Sequence, residues 1–329
     1  MLYLDNNHLQ AIGHCWGELE SRIVAALRLM DSGDYAQPIK PYLRYGNPAN
    51  RIIAMPAYAG GAVQAAGLKW IASFPGNTLN GLPRAHSVLL LNKPDTGVPY
   101  AMLNSPLPSV ARTVAVSAVM LRHFLQARPV VKRIRIGIIG FGPIGQHHYD
   151  MCGKLFGEWI DEILIYDIKA LKPETPIIQE ADASYRRRTR LAESWEELYS
   201  NCNVIITCTV SDDRYIDQPP LAGSLLLDVS LRDYKAAALE QIQFVVVDDW
   251  DEVCRENTDI ELLHLERGLT KNDTCSLADV VCRGALGKLA ADESVLFCPM
   301  GMAVFDIATA AYWVEKAKSL GVGLDLGMA

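Results

Sequence analysis

Three glycines, Gly140, Gly142 and Gly145, stand in "GFGPIG" directly after the apolar run 136–139. This is G-x-G-x-x-G at the end of a strand pattern. The first glycine allows a tight turn, the second lets a pyrophosphate approach the backbone, and the third lets a new helix pack closely on the strand. Pro143 and Ile144 fill variable positions, and a proline suits the first helical turn, where no N–H is required. About twenty residues further on, "EILIYDIK" ends a second strand pattern at Asp167. A carboxylate there accepts hydrogen bonds from an adenosine ribose and repels a 2′-phosphate. No arginine follows it directly, although Lys169 is near, so the expected cofactor is NAD rather than NADP. The alternative to this dinucleotide site is a structural glycine turn with a chance acid.

Cations in apolar surroundings are the next chemical signal. Lys69 in "GLKWIA" falls within a strand pattern, where an ammonium is unfavourable unless it meets solvent or a polar pocket. It is either an exposed edge lysine or a group that works on substrate. Arg112 in "SVARTVAVSAV" opens an otherwise apolar helix and reads as an ion-pair residue or as an anion-binding group. Arg44 in "KPYLRYG" is a loop arginine or a further member of a carboxylate cage, where guanidinium forks do what a lysine point charge does not. Lys40, Arg51 and Arg84 add positive charge nearby in the chain, each a solvated residue if taken alone. His86 in "RAHSVLL" is a polar group for a site edge or a structural histidine. Asp228 in "SLLLDVSL" sits at the carboxyl end of a strand pattern, where ligands bind in open α/β sheets, or serves as a turn cap. Asp248 and Asp249 read as caps of the helix that follows. His147 and His148 have no metal-like partners, so no metal is expected.

Two kinds of element must position these groups. In the first hundred residues, Asp5 or Asn6 can cap a short helix, and "ELESRIVAALRLMDSGD" carries apolar residues at helical spacing up to Gly33. Strand-like pieces follow: "RIIAMPAY", "AGLKWIAS", "HSVLLLN" and "PYAMLNS", the last two joined by the turn "KPDTGV". A helix over 109–126 leads into the glycine motif, after which strands and helices alternate. "NVIITCTV", "GSLLLDVS", "FVVVDDW" and "SVLFCP" are apolar enough to be buried on both faces of a parallel sheet. A last helix, "MAVFDIATAAYWVEKAKSLG", is expected to return to the first domain. The fold class is therefore α/β, with a Rossmann-type parallel-sheet domain (127–298) inserted into an α+β domain (1–126 plus 299–329).

Composition narrows the function classes. The chain has 329 residues, half of them apolar, enough for two domains with sizeable cores. A net charge of -7 argues against a nucleic-acid or anionic-membrane partner. The basic run Arg186-Arg187-Arg188 with Arg190 reads as a solvated loop or edge. Eight cysteines occur without a C-x-x-C pair, and Cys202, Cys208, Cys282 and Cys298 lie in apolar runs, as reduced core thiols do. "MLYLDNNHLQAIG" lacks the pattern of a signal peptide, and no apolar stretch reaches membrane-spanning length. A cytoplasmic protein is expected.

Taken together, "KPYLR", "RIIAMPAYAGG", "GLKW", "ARTVAVSAV", "GFGPIG", "ITCTV" and "CPMGMA" resemble the ornithine cyclodeaminase and μ-crystallin family over nearly the whole chain. "QPIKPYLR", "VVVDDWDEVCRE" and "PMGMA" look closest to its branch of dehydrogenases in 2,3-diaminopropionate biosynthesis for siderophores and antibiotics. The resemblance implies a homodimer formed through the antiparallel domain, with an amino-acid substrate between that domain and the nucleotide domain. It implies a substrate carboxylate held by Arg44, Lys69 and Arg112, with Lys69 also moving protons and Arg84 and His86 at the substrate. His86 and Ser87 depart from the family's usual threonine or serine and glycine. Cofactor contacts are implied for Thr113, Cys208, Thr209, Val210 and Met300, beside the glycine loop. Asp228 falls where cyclodeaminases keep an aspartate that handles amine and water. The implied reaction is NAD-dependent cleavage of N-(2-amino-2-carboxyethyl)-L-glutamate to 2-oxoglutarate and 2,3-diaminopropionate through an imine. An ornithine cyclodeaminase and a μ-crystallin-like NAD(P)H-binding protein are the alternatives.

Overall fold

The computed structural model describes residues 1–128, 133–172, 174–211 and 213–327. The chain divides into two compact units, Met1–Arg112 with Gly301–Ala329, and Thr113–Met300. The division falls inside the helix Leu107–Ala127.

In the first unit, β1 (Leu2–Asp5), β2 (Tyr35–Ala36), β3 (Tyr42–Leu43), β4 (Arg51–Ala59), β5 (Ala65–Ser73), β6 (Ala85–Asn92), β7 (Pro99–Asn104) and a last strand, Leu324–Asp325, make an eight-stranded sheet among the described residues. Its centre is an antiparallel meander, β4 to β7. Alternation decides which face is inside. Met55, Lys69 and Leu89 lie abreast in register and are buried. Their neighbours on the other face, Ala54, Trp70 and Val88, remain partly exposed. The inner face packs on the helix Ala303–Leu320, which also packs on the helix Trp16–Ser32. That second helix stops where Gly33 takes the left-handed conformation, and Asp5 forms a capping box with His8 on the helix Asn6–Ile12.

In the second unit, β8 (Ile134–Ile139), β9 (Ile160–Tyr166), β10 (Thr189–Leu191), β11 (Val204–Thr207), β12 (Leu225–Asp228), β13 (Phe244–Val247), β14 (Thr274–Ser276) and β15 (Val295–Cys298) form a parallel sheet in the order β10-β9-β8-β11-β12-β15-β13-β14. The sequence expectation of an α/β protein with a Rossmann-type parallel sheet is met. The strand order reverses between β8 and β11, and in such sheets the crevice at the reversal is where ligands bind. Ile139 pairs with Tyr166 and Thr207, and Thr207 with Asp228. Gly140, Asp167, Cys208 and Asp228 are thereby gathered at one edge by register alone.

Two smaller expectations fail. Cys282 is exposed, because the run that holds it becomes the helix Leu277–Arg283 and Cys282 falls on its outer side. Asp249 does cap the helix Trp250–Val253, but Asp248 instead accepts the Met300 N–H at 3.1 Å. Among the described residues, no helix is long and apolar enough to cross a membrane.

Candidate functional site

The glycine loop has the geometry its sequence predicts. Gly140 has φ +92°, and a Cβ there would lie 2.6 Å from the Cys208 carbonyl oxygen. A Cβ on Gly145 would meet the Gly140 carbonyl oxygen at 2.1 Å, whereas Gly142 faces open space. Gly142 is the N-cap of the helix Pro143–Phe156, whose first turn contains no acid. The unpaired N–H groups and the dipole of a helix start favour an anion there. Asp167 accepts the Phe141 N–H at 2.6 Å and the Lys169 N–H at 2.8 Å. Each of its oxygens keeps a lone pair for a ribose hydroxyl. The residues present therefore fit a dinucleotide. Beside the loop, Val210 is 66% exposed although apolar, at the end of the segment that follows β11. Thr209 donates its N–H to Ser230 and its hydroxyl to Asp233. Met300 and Thr113 are half-buried, the latter with its carbonyl accepting from Ser117.

Asp228 is buried and saturated. It accepts the Thr207 hydroxyl at 3.2 Å, the Leu231 N–H at 3.0 Å and the Cys298 thiol at 3.2 Å. The bond to Leu231 is that of a turn cap, and it supports a residue with φ +67°, which a branched side chain rarely adopts. Burial, and then the charges of Asp259 and Asp233, push the Asp228 carboxyl well above its ordinary range. Asp259 pairs with Arg214 at 2.6 Å and accepts the N–H groups of Asp233 and Tyr234. His148 is buried as well, bonded to the Ile144 carbonyl and the Ser117 hydroxyl, and burial lowers it to about 4.

The cations of the first unit fall into two sets. Lys69 and Arg112 meet on one carboxylate, Asp306, with Lys69 Nζ at 2.7 Å and Arg112 Nε at 2.9 Å. Lys40 is buried too, donating to the Gly301 carbonyl at 2.8 Å. Burial and the Arg112 charge bring the Lys69 ammonium down to about 7 from an ordinary 10.5, with Asp306 opposing them. Gly301 makes room for Arg112: it has φ +87°, and a Cβ would stand 2.3 Å from the guanidinium. Arg44 belongs to the second set. It is exposed and lies 5.3 Å above the Tyr42 ring, with Arg51 5.9 Å from the same ring. Register puts Arg51 and Tyr42 on the Lys69 face of the sheet. His86 is exposed on the opposite face, because its partner Ala72 is an odd number of residues from Lys69. Arg84 precedes β6, where its carbonyl accepts the Phe74 N–H.

Asp306 is the site residue that sequence reasoning missed. Its signal was present: a lone acid in "AVFDIATAA", where the residues on either side are all apolar or small and all become buried.

The family model described as "Ornithine cyclodeaminase/mu-crystallin family" matches residues 12–321. An N-((2S)-2-amino-2-carboxyethyl)-L-glutamate dehydrogenase of Staphylococcus aureus is 32% identical, with 100% of this chain and 98% of the relative covered. The Thermococcus litoralis Delta(1)-pyrroline-2-carboxylate reductase, solved with NADH and L-proline, superposes with a TM-score of 0.84 at 24% identity, over 99% of this chain and all of the other. An archaeal alanine dehydrogenase dimer with bound NAD gives 0.85 at 22% identity, over 100% and 99% of the two chains.

Proposed function

The chain belongs to the ornithine cyclodeaminase/mu-crystallin family, and from that premise we propose that it is an NAD-dependent amino-acid dehydrogenase cleaving N-(2-amino-2-carboxyethyl)-L-glutamate. With water and NAD, that substrate gives 2-oxoglutarate, 2,3-diaminopropionate and NADH. The observation that carries the proposal is the buried cluster in which Lys69 and Arg112 share the carboxylate of Asp306. A guanidinium beside a lysine that titrates near neutral pH combines a fork for a carboxylate with a group for proton transfer.

Gly140, Gly142, Pro143, Ile144, Gly145 and Asp167 would hold the dinucleotide, with Thr113, Cys208, Thr209, Val210 and Met300 beside it. When bound, NAD supplies the acceptor for hydride from the carbon that carries nitrogen and carboxylate. Arg112 fixes the carboxylate of that carbon, and Lys69, which exchanges its proton near neutral pH, takes the proton from the secondary nitrogen and returns it as water adds. Arg44 and Arg51 serve the remaining carboxylates. Arg51 lies in register with Ser73, four residues along β5 from Lys69, which is about 13 Å of strand. Two long cationic side chains and an extended tricarboxylate span that gap. A single-carboxylate substrate such as ornithine does not need it.

A homodimer is part of the reading. What supports it is the sheet face opposite Lys69, where Ile52, Leu68, Val88 and Leu90 are half-buried and Trp70 is 41% exposed in the single chain. Light scattering on the purified protein measures it directly.

The deciding experiment incubates the protein with NAD and N-(2-amino-2-carboxyethyl)-L-glutamate, and in parallel with ornithine. One NADH for each 2-oxoglutarate is expected. Faster formation of proline from ornithine would replace this reading with a cyclodeaminase. Equal or tighter binding of NADPH than NADH would overturn the assignment to Asp167.

A further inference from the structure

We propose that Asp306 is the positioning residue of the site: it fixes the ammonium of Lys69 and the guanidinium of Arg112 in one rigid arrangement and sets how readily Lys69 gives up its proton. The inference rests on the proposed role of Lys69 and goes beyond it by assigning a residue on a different element.

The geometry is specific. Each carboxylate oxygen of Asp306 takes one cation, Oδ2 from Lys69 and Oδ1 from Arg112. All three side chains are at least nine-tenths buried. Asp306 lies in the first turn of an eighteen-residue helix, where the macrodipole favours an anion. Its neighbours Phe305 and Ile307 are fully buried, so the carboxylate cannot leave for solvent without unpacking the helix. Lys69 also approaches the Ser109 hydroxyl at 3.4 Å. That contact is long and neutral, whereas the one to Asp306 is short and charge-assisted. The Arg112 fork binds Asp306 through Nε, and its two terminal nitrogens lie where a side chain on Gly301 would have to stand.

The charges facing Lys69 are those of Arg112 and Lys40, which favour proton loss, and of Asp306, which resists it. Removing the Asp306 charge must therefore make Lys69 more acidic. A purely structural role for Asp306 would alter stability and leave the titration of Lys69 where it was.

The test follows Lys69 itself, independently of turnover. The full-length protein is trace-labelled with acetic anhydride across pH, and Lys69 acetylation is read by mass spectrometry in the parent, Asp306→Asn and Asp306→Glu chains. Asp306→Asn should move the Lys69 midpoint down by about 1 unit or more, and Asp306→Glu, which keeps the charge, should leave it near the parent value. In turnover of the glutamate conjugate with NAD, the pH profile of kcat/KM should follow the same shift. The Glu variant should lose kcat about tenfold or more, because the longer side chain displaces both cations. An unchanged Lys69 midpoint in Asp306→Asn overturns the inference. If that variant does not fold, Asp306→Glu with parental kcat overturns it. A parent protein that labels as expected but does not turn over the conjugate would defeat the proposed substrate and leave the inference standing.

Discussion

The two units bury charge in opposite ways. Around Asp306, one carboxylate answers Lys69 and Arg112, with Lys40 felt as a third positive charge. Around Asp228, burial and the charges of Asp259 and Asp233 raise its proton affinity, while Arg214 forms an ion pair with Asp259. Both imbalances are costly, since a buried charge must be paired, hydrogen-bonded or neutralised. The acidic cluster is closed by donors from its own chain: hydroxyls of Thr207, Thr209 and Ser230, the Cys298 thiol, and N–H groups of Leu231, Asp233 and Tyr234. The cationic cluster differs in its lysine, which burial and the Arg112 charge bring to about 7. A cluster saturated by donors braces a fold, whereas a buried lysine that exchanges its proton near neutral pH can take part in chemistry.

Replacing Lys69 strains this contrast most. Lys69→Met should cut turnover by about 10³-fold, within the range for losing a positioned acid-base group, while NADH titration stays normal. Stability should move the other way. A lysine held below its unfolded pKa stabilises fully only above pH 10.5 and loses that contribution as pH falls towards 7. At neutral pH the ammonium is therefore a cost, and methionine, leaving Asp306 paired with Arg112, should raise stability by about 1–4 kcal/mol. Denaturant melts at pH 7 and pH 10 check both parts. A destabilised Lys69→Met at pH 7 would mean that the cationic cluster braces the fold as the acidic one does.

Gly301→Ala comes next. The added methyl group must occupy the Arg112 guanidinium's place and sit at φ +87°. A cost of about 1–3 kcal/mol is expected for the backbone alone, together with a substrate KM raised ~10–100-fold at constant NADH affinity. If KM does not change, Arg112 does not hold the substrate.

These residues also show where a sequence is readable. The glycine loop, Asp167 and the strands of the parallel sheet were legible because each obeys a local rule of spacing or apolar runs. Gly33 ends one helix and Asp5 starts another for equally local reasons. Lys69 and Arg112 could be suspected from their surroundings, but their meeting on Asp306 joins residues 237 and 194 positions apart. The face that His86 takes was not legible for a related reason. Its face depends on register across the connection between β5 and β6, and a shift of one residue would have turned it inward. The exposed Cys282 shows the same limit within a helix.

Arg44 and Arg51 give a smaller effect. Stacked on Tyr42 outside the buried cluster, each should raise KM for the glutamate conjugate about tenfold on replacement by alanine, or ~1.4 kcal/mol, with kcat nearly kept. For a monocarboxylate amino acid, Arg51→Ala should have no effect. Equal losses on both substrates would make Arg51 a general support of the sheet end and not a selector.

The smallest change in turnover, and the sharpest test of the closed cluster, is Asp228→Asn. An acid whose pKa is raised in the folded state stabilises at low pH and loses that contribution as pH rises from its unfolded value towards its folded one. Between those limits the native protein binds more protons than the unfolded chain, so wild-type stability is drawn down by up to about 1.4 kcal/mol per pH unit. Asparagine mimics the protonated form: its oxygen still accepts from Thr207 and Leu231, and its amide faces Cys298 in place of the second oxygen. The variant's stability should therefore fall less steeply with pH than the parent's, while kcat stays within about threefold. Melts from pH 4 to pH 8 and one turnover assay test both statements. A ~10²-fold loss of kcat with normal NADH binding would mean that Asp228 reaches substrate during the reaction, and the acidic cluster would then have to be counted as part of the chemistry too.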